Sequence, residues 1–212
     1  MPVFPQRDSP SRFTIARIRY GGGGDWYSDP TSLPNLLAAA RDRLGIDASR
    51  EEKQISPADA DFFKYPFAYL TGHGNVRFTE AEIDRLRTFL TSGGFLWCDD
   101  NGPDRDSLDQ YFRREMKRVF PGRQLRQIPF DHPVFHIVYD FPDGPPKIHN
   151  HYANKPPRAY GLFHNGRLVV FYTWNSDIGD GLENPDVHKD HPAKREQALQ
   201  MALNVVAYVL SY

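Results

Sequence analysis

The chain has one cysteine in 212 residues, Cys98. That excludes an internal disulfide framework and any cysteine-rich zinc or iron–sulfur centre. It has no run approaching the ~18 consecutive apolar residues that span a bilayer, so no membrane insertion is expected. Charge of one sign is also missing: 26 basic against 27 acidic residues leave a formal net charge of -1. Nothing in that balance draws the chain to nucleic acid or to an anionic membrane. The first residues, Met1 to Asp8, lack the apolar core of a signal peptide. The expectation is a soluble, cytoplasmic protein as written, or a periplasmic one if a leader has been trimmed.

Hydrophobic residues make up 40%, charged residues 25% and aromatics 14%, a globular composition. One α/β domain over residues 1–212 is expected, with residues 1–12 as an N-terminal tail. Eight of the 18 prolines, with 2 of the 16 glycines, lie between residues 121 and 158, which read as a Pro-rich irregular arm.

Strand and helix signals alternate. Residues 13 to 20 read as an opening strand, Thr31 to Leu44 as a helix stopped by Gly45, and Lys53 to Ser56 as a short strand. Pro66 to Leu70 and Phe95 to Cys98 are apolar on both faces, as buried parallel strands are. Between them Thr79 and Glu82 form a capping box that opens a helix ending at Gly93-Gly94. Leu108, Tyr111, Phe112, Met116, Val119 and Phe120 mark a further amphipathic helix. Arg158 to His164 and Leu168 to Thr173, split by Asn165-Gly166, read as a type I′ hairpin. The last helix runs from about Pro192 to Leu210. The pattern predicts a three-layer sandwich with a mainly parallel central sheet and a C-terminal antiparallel hairpin extension.

The most informative segments are two strand-to-loop junctions, Phe67-Ala68-Tyr69-Leu70-Thr71-Gly72-His73-Gly74-Asn75 and Gly93-Gly94-Phe95-Leu96-Trp97-Cys98-Asp99-Asp100. Parallel strands joined by a crossover helix end on one edge, where ligands bind. His73 and the Asp99/Asp100 pair are therefore expected at one crevice. His73 between two glycines is either a presented ligand or base, or the hinge of a tight turn that bonds a neighbouring loop. Asp99 and Asp100 alternate, so one of them faces the crevice. Otherwise they cap the helix near residue 106 or pair with Arg105, Arg113 or Arg114.

Gly21 to Gly24 lie where a phosphate loop would, but no Lys-Ser/Thr follows, and Asp25 and Asp29 bring negative charge. No nucleotide cofactor is expected, and the stretch reads as a turn carrying Trp26 and Tyr27 to the crevice rim. His132 and His136, and the later His149 and His151, match no zinc motif, and Pro133 opposes a helix through the first pair. His132 is retained as a crevice residue. Trp174-Asn175-Ser176-Asp177, with Gly179, Asp180, Gly181, Glu183 and Asn184, forms a polar loop of the kind that binds sugars, or is solvated.

In these segments the chain resembles the bacterial family called domain of unknown function 4159. The resemblance lies in Asp25-Trp26-Tyr27, Leu70-Thr71-Gly72-His73-Gly74, Gly93-Gly94-Phe95-Leu96 before an acidic pair, Phe120-Pro121-Gly122 and Asp131-His132-Pro133. It implies a class I glutamine amidotransferase-like, flavodoxin-like fold and no particular activity. Amidotransferase chemistry needs a cysteine on an exposed elbow. Cys98 instead ends an apolar run beside two carboxylates, which disfavour its thiolate.

The expected function is a binding module for a small polar ligand, a sugar or metabolite, or for a protein partner. Its crevice would use Trp26, Tyr27, Asp29, His73, Asn75, Asp99, Asp100, His132, Asn175 and Asp177. The alternatives are a hydrolase using a divalent metal on His73, Asp99 and His132 or a His/Asp pair, and a subunit that docks through the aromatic arm.

Overall fold

The computed structural model describes residues 12–100, 102, 108–149 and 155–212. Seven strands form one mixed sheet: β1 (Ile15–Ile18), β2 (Lys53–Ile55), β3 (Phe67–Leu70), β4 (Phe95–Asp99), β5 (Arg126–Gln127), β6 (Arg158–His164) and β7 (Arg167–Trp174). Their order is β2-β1-β3-β4-β7-β6-β5. The first five in that order are parallel, and β6 and β5 add an antiparallel extension. Six helices complete the fold: α1 (Ser32–Leu44), α2 (Glu80–Thr91), α3 (Leu108–Val119), α4 (Ile178–Leu182), α5 (Pro185–His188) and α6 (Pro192–Ser211).

Side-chain alternation along the strands builds three layers. Phe67, Tyr69, Phe95, Trp97 and Phe171 point to the face covered by α1 and α6. Ala68, Leu70, Leu96, Cys98, Val170 and Tyr172 point to the face covered by α2 and α3. Both faces are dry, which is why these strands read as continuous apolar runs.

The local signals act as their chemistry requires. The Thr79 side chain accepts from Glu82 N while Glu82 accepts from Thr79 N, so both halves of the capping box form at α2; such a cap contributes about 1 kcal/mol. Gly45 closes α1 at φ 67°. Asn165 and Gly166 take φ 50° and 79° in the β6–β7 turn, the left-handed pair that a type I′ hairpin needs.

The Pro-rich arm departs from its expected character. Ile128, Val134, Phe135 and Ile148 are fully buried against the α6 face. The described part of the arm carries part of the core, and none of its described aromatics is exposed. Among the described residues no helix is long and apolar enough to cross a membrane.

Candidate functional site

β1, β3, β4 and β7 all finish at one edge of the sheet, and the loops that leave them divide into two groups by face.

The first group stands on the α2/α3 side. The glycine loop after β1 pairs with the loop after β3 through an isolated bridge between Gly21 and Arg77. Gly24 N donates to Asn75 O and Asp25 N to His73 O. The glycines are required by this contact: a Cβ on Gly24 would sit 2.5 Å from His73 O, and one on Gly72, at φ 121°, would sit 2.6 Å from the Tyr20 hydroxyl. His73 is tied back into the pair, its backbone N and its Nδ1 both facing the Asp25 carboxylate, the latter at 3.1 Å. The histidine thus bonds the neighbouring glycine loop through Asp25. Asn75 Oδ1 accepts from Arg114 at 3.0 Å. Trp26 packs on the α2/α3 core and meets Tyr27 edge to face, leaving Tyr27 exposed. Asp100 lies on this side as well, fully buried, its N–H donating to Thr173 O.

The second group stands on the α1/α6 side and is acidic. Asp99, fully buried, accepts from the Thr173 hydroxyl and, at 2.6 Å, from Gly179 N. Thr173 in turn accepts from Trp97 Nε1 at 2.9 Å. Burial pushes the Asp99 carboxyl well above the usual carboxylate range, and nearby Asp177 adds to the rise against the two hydrogen bonds. Asp29, at φ 55°, accepts from the buried Arg17 and from Ser32 through its carbonyl. Its carboxylate meets Asp99 and Tyr69 around Gly179. A methyl placed on Gly179 would lie 2.5 Å from Asp29 Oδ2, 2.8 Å from the Tyr69 hydroxyl and 3.3 Å from Asp99 Oδ2. The Tyr69 hydroxyl is fully buried and makes no hydrogen bond of good geometry among the described residues. Burial first, then Asp99 and Asp29, holds its proton on.

Beyond β7 the start of the polar loop is interior, not solvated: Asn175, Ser176 and Asp177 are fully buried. Asn175 and Asp177 adopt left-handed φ of 56° and 60°. Asn175 Nδ2 donates to Lys155 O, and Ile148 N donates to Ser176 O. This pairing carries His149 to the acids. His149 Nδ1 lies 2.9 Å from Asp177 Oδ2 and 2.9 Å from Asp180 Oδ2, and Nε2 lies 2.9 Å from Asp190 Oδ1. The carboxylates of Asp177 first and Asp180 next push its pKa up to about 11. Glu183 and Asn184 serve structure, accepting from Thr31 N and donating to the Thr31 hydroxyl at the start of α1.

Two expectations are corrected. His132 does not share the crevice. Its ring packs between Phe163 and Tyr208, beside the β6–β7 turn, at the edge where the parallel strands begin. Its Nδ1 accepts from Val134 N, opening a 3₁₀ turn at Pro133–Phe135, while His136 faces Asp140 and Phe130 O. The trio His73, Asp99 and His132 therefore lies at three separate places and does not converge on a metal. Of the alternative partners for the acid pair, Arg113 bonds Asp109 and Arg114 bonds Glu115. Arg105, His151 and the expected helix cap near residue 106 fall outside the described residues.

Sequence reasoning passed over Tyr69, Arg17, His188 and Asp190. Strand alternation could have found Tyr69, which shares its face with Asp99. His188 and Asp190 follow the acidic loop closely enough to have been counted with it.

No curated protein matches the chain. The family described as Domain of unknown function (DUF4159) matches residues 14–210, nearly the whole chain, and the protein belongs to that family.

Proposed function

We propose that the protein is a binding module on an amidotransferase-like, flavodoxin-like framework, and that its carboxyl-edge crevice takes a small polar ligand rich in hydrogen-bond donors. The observation that carries this reading is the convergence of Asp29 Oδ2, the Tyr69 hydroxyl and Asp99 Oδ2 around Gly179 at the carboxyl edge of the sheet. Asp29 brings a carboxylate, while Asp99 and Tyr69, held towards their neutral forms, each offer a donor and further acceptor capacity. A polyol, whose hydroxyls donate and accept, complements such a set, and an ammonium group complements the Asp29 carboxylate. Groups held in this way cluster at functional sites.

A glutaminase role finds no support in Cys98. It is fully buried, and burial, then Asp100 and Asp99, pushes its thiol well above the usual range.

The test is thermal melting with putrescine and, separately, with glucose. A ligand at a hundredfold excess over its Kd stabilises by about 2.7 kcal/mol. One of these probes raises the melting midpoint of the wild type and leaves Gly179→Ala, whose methyl pushes Asp29 and Tyr69 apart, unmoved. Equal shifts in both proteins, or none in either, would count against the crevice.

A further inference from the structure

A separate cluster at the outer end of the acidic seam carries a second inference, independent of what fills the crevice. Asp180 bridges two histidines: its Oδ2 lies 2.9 Å from His149 Nδ1 and its Oδ1 3.4 Å from His188 Nε2. One donor atom each from His149, Asp180 and His188 lies within 4.8 Å of the others. Asp177 Oδ2, fully buried, adds a fourth donor at 2.9 Å from the same His149 nitrogen.

The spacing is that of ligands around an ion. A ring nitrogen carries one hydrogen, yet Nδ1 faces two carboxylate oxygens at equal distance. Donors bound at about 2.1 Å lie about 3.0 Å apart with octahedral angles and about 3.4 Å apart with tetrahedral ones, the range that these three pairs span. The opposite nitrogen completes the pattern. Nε2 faces Asp190 Oδ1 at 2.9 Å and Oδ2 at 3.0 Å. A carboxylate that accepts from one histidine nitrogen fixes the hydrogen there and leaves the other nitrogen bare for a metal.

Charge argues the same way. Asp177, Asp180 and Asp190 surround one imidazole, and each is 13% exposed or less. With His149 neutral, the form that ligates a metal, the three carboxylates carry about three negative charges, of which one divalent cation offsets two. Two imidazoles among the donors favour a borderline ion such as zinc over calcium or magnesium, which prefer all-oxygen shells.

We propose that His149, Asp177, Asp180 and His188 form a divalent transition-metal site, zinc being the first ion to test, with Asp190 orienting His149 from behind. The ion would tie the loop after β7 to the end of the Pro-rich arm and to α5. It would also place a Lewis acid at the same sheet edge as the crevice.

The experiment is elemental analysis of freshly purified full-length protein, followed by zinc titration calorimetry of the EDTA-treated and dialysed protein. Wild type is expected to bind about one equivalent, and its melting midpoint to fall in EDTA, because metal affinity adds directly to folding stability. His188 is partly exposed on a short helix, so His188→Ala is expected to keep its far-ultraviolet circular dichroism while losing zinc affinity at least tenfold. Cobalt substitution supplies a second readout: wild type gives d–d absorption bands that shift in Asp190→Asn and vanish in His188→Ala. A protein that neither retains nor binds zinc or cobalt would overturn the proposal. So would zinc bound equally well by wild type and His188→Ala.

Discussion

Thr173 donates its hydroxyl to Asp99 Oδ1 where the two residues face each other across the β4–β7 ladder. The contact helps hold a carboxyl group in a place where its charge is disfavoured, since burial and Asp177 both raise the Asp99 pKa. In the unfolded chain Asp titrates near about 3.9. Above that pH the native state binds more protons at this site than the unfolded state, so stability is lost as pH rises towards and through the folded pKa. An asparagine side chain at this position would imitate the neutral acid, accepting from Gly179 N through its amide oxygen. Asp99→Asn should therefore be more stable than wild type at neutral pH, by about 1 kcal/mol, as removal of a disfavoured buried charge allows. Urea denaturation between roughly pH 5 and pH 8 should show the gap widening with pH. A gap that is constant or closes would mean that Asp99 carries no raised pKa.

The pairing of the loops after β1 and β3 depends on glycine more than on the histidine it displays. At Gly72 a methyl would meet the Tyr20 hydroxyl at 2.6 Å and Asp25 O at 2.7 Å, on a backbone at φ 121°. Gly72→Ala combines steric overlap with an unfavourable φ and should cost about 3 kcal/mol. His73 is nearly half exposed, and His73→Ala should change stability by no more than about 0.5 kcal/mol. Denaturation midpoints of the two variants test the ranking. The reverse order would make His73 a structural keystone, contrary to its exposure.

What the sequence revealed and what it hid follow from the range of the interactions. The capping box at Thr79–Glu82, the Asn165-Gly166 turn and the doubly apolar strands are local chemistry, and each lies where its pattern put it. The strand-end rule also placed Asp99 at the carboxyl edge. The same rule could not say that His73 would turn back to Asp25, because that depends on a glycine loop 48 residues earlier in the chain. His132 looked equivalent to the other histidines until the hairpin beside it set it at the opposite edge. The polar loop after β7 gave no sign in composition that it would be interior. Its burial comes from pairing with residues 146–149, a contact without local signature.

Arg17 illustrates a long-range contact that alternation misreads. It lies on a strand whose residues are all buried, and its side chain is 1% exposed. Its guanidinium bonds Glu52 at 2.6 Å and the carbonyls of Ser28 and Asp29. Those carbonyls belong to the turn that brings Asp29 beside Tyr69 and Asp99, so Arg17 fixes Asp29 through its backbone. Arg17→Met leaves Glu52, 8% exposed, without its countercharge, and should destabilise by about 3–5 kcal/mol. Adding Glu52→Gln to that variant should recover part of the loss. A double variant no more stable than the single one would place the cost in the Ser28 and Asp29 hydrogen bonds instead of the stranded charge.

His132 gives the fold an acid-side sensitivity remote from the crevice. Its Nδ1 must be unprotonated to accept from Val134 N, and its ring is sandwiched between Phe163 and Tyr208. Burial lowers its pKa, outweighing the opposite pull of Asp131. A histidine with a depressed folded pKa is protonated first in the unfolded chain, so stability is intact above about pH 6.5 and falls as pH drops below that value. His136 works in the other direction: the Phe130 carbonyl and Asp140 raise its pKa, so its protonation favours the fold. Taking the difference between wild type and a His132 variant at each pH cancels that opposing contribution. His132→Asn keeps an acceptor able to cap Val134 N without titrating near neutrality. It should be less stable than wild type at pH 8, from lost ring packing, with the deficit shrinking as pH falls from about 6.5 to 5. Guanidinium or urea midpoints across that range measure the difference directly. A deficit that stays constant would show that His132 titrates alike in the folded and unfolded chains.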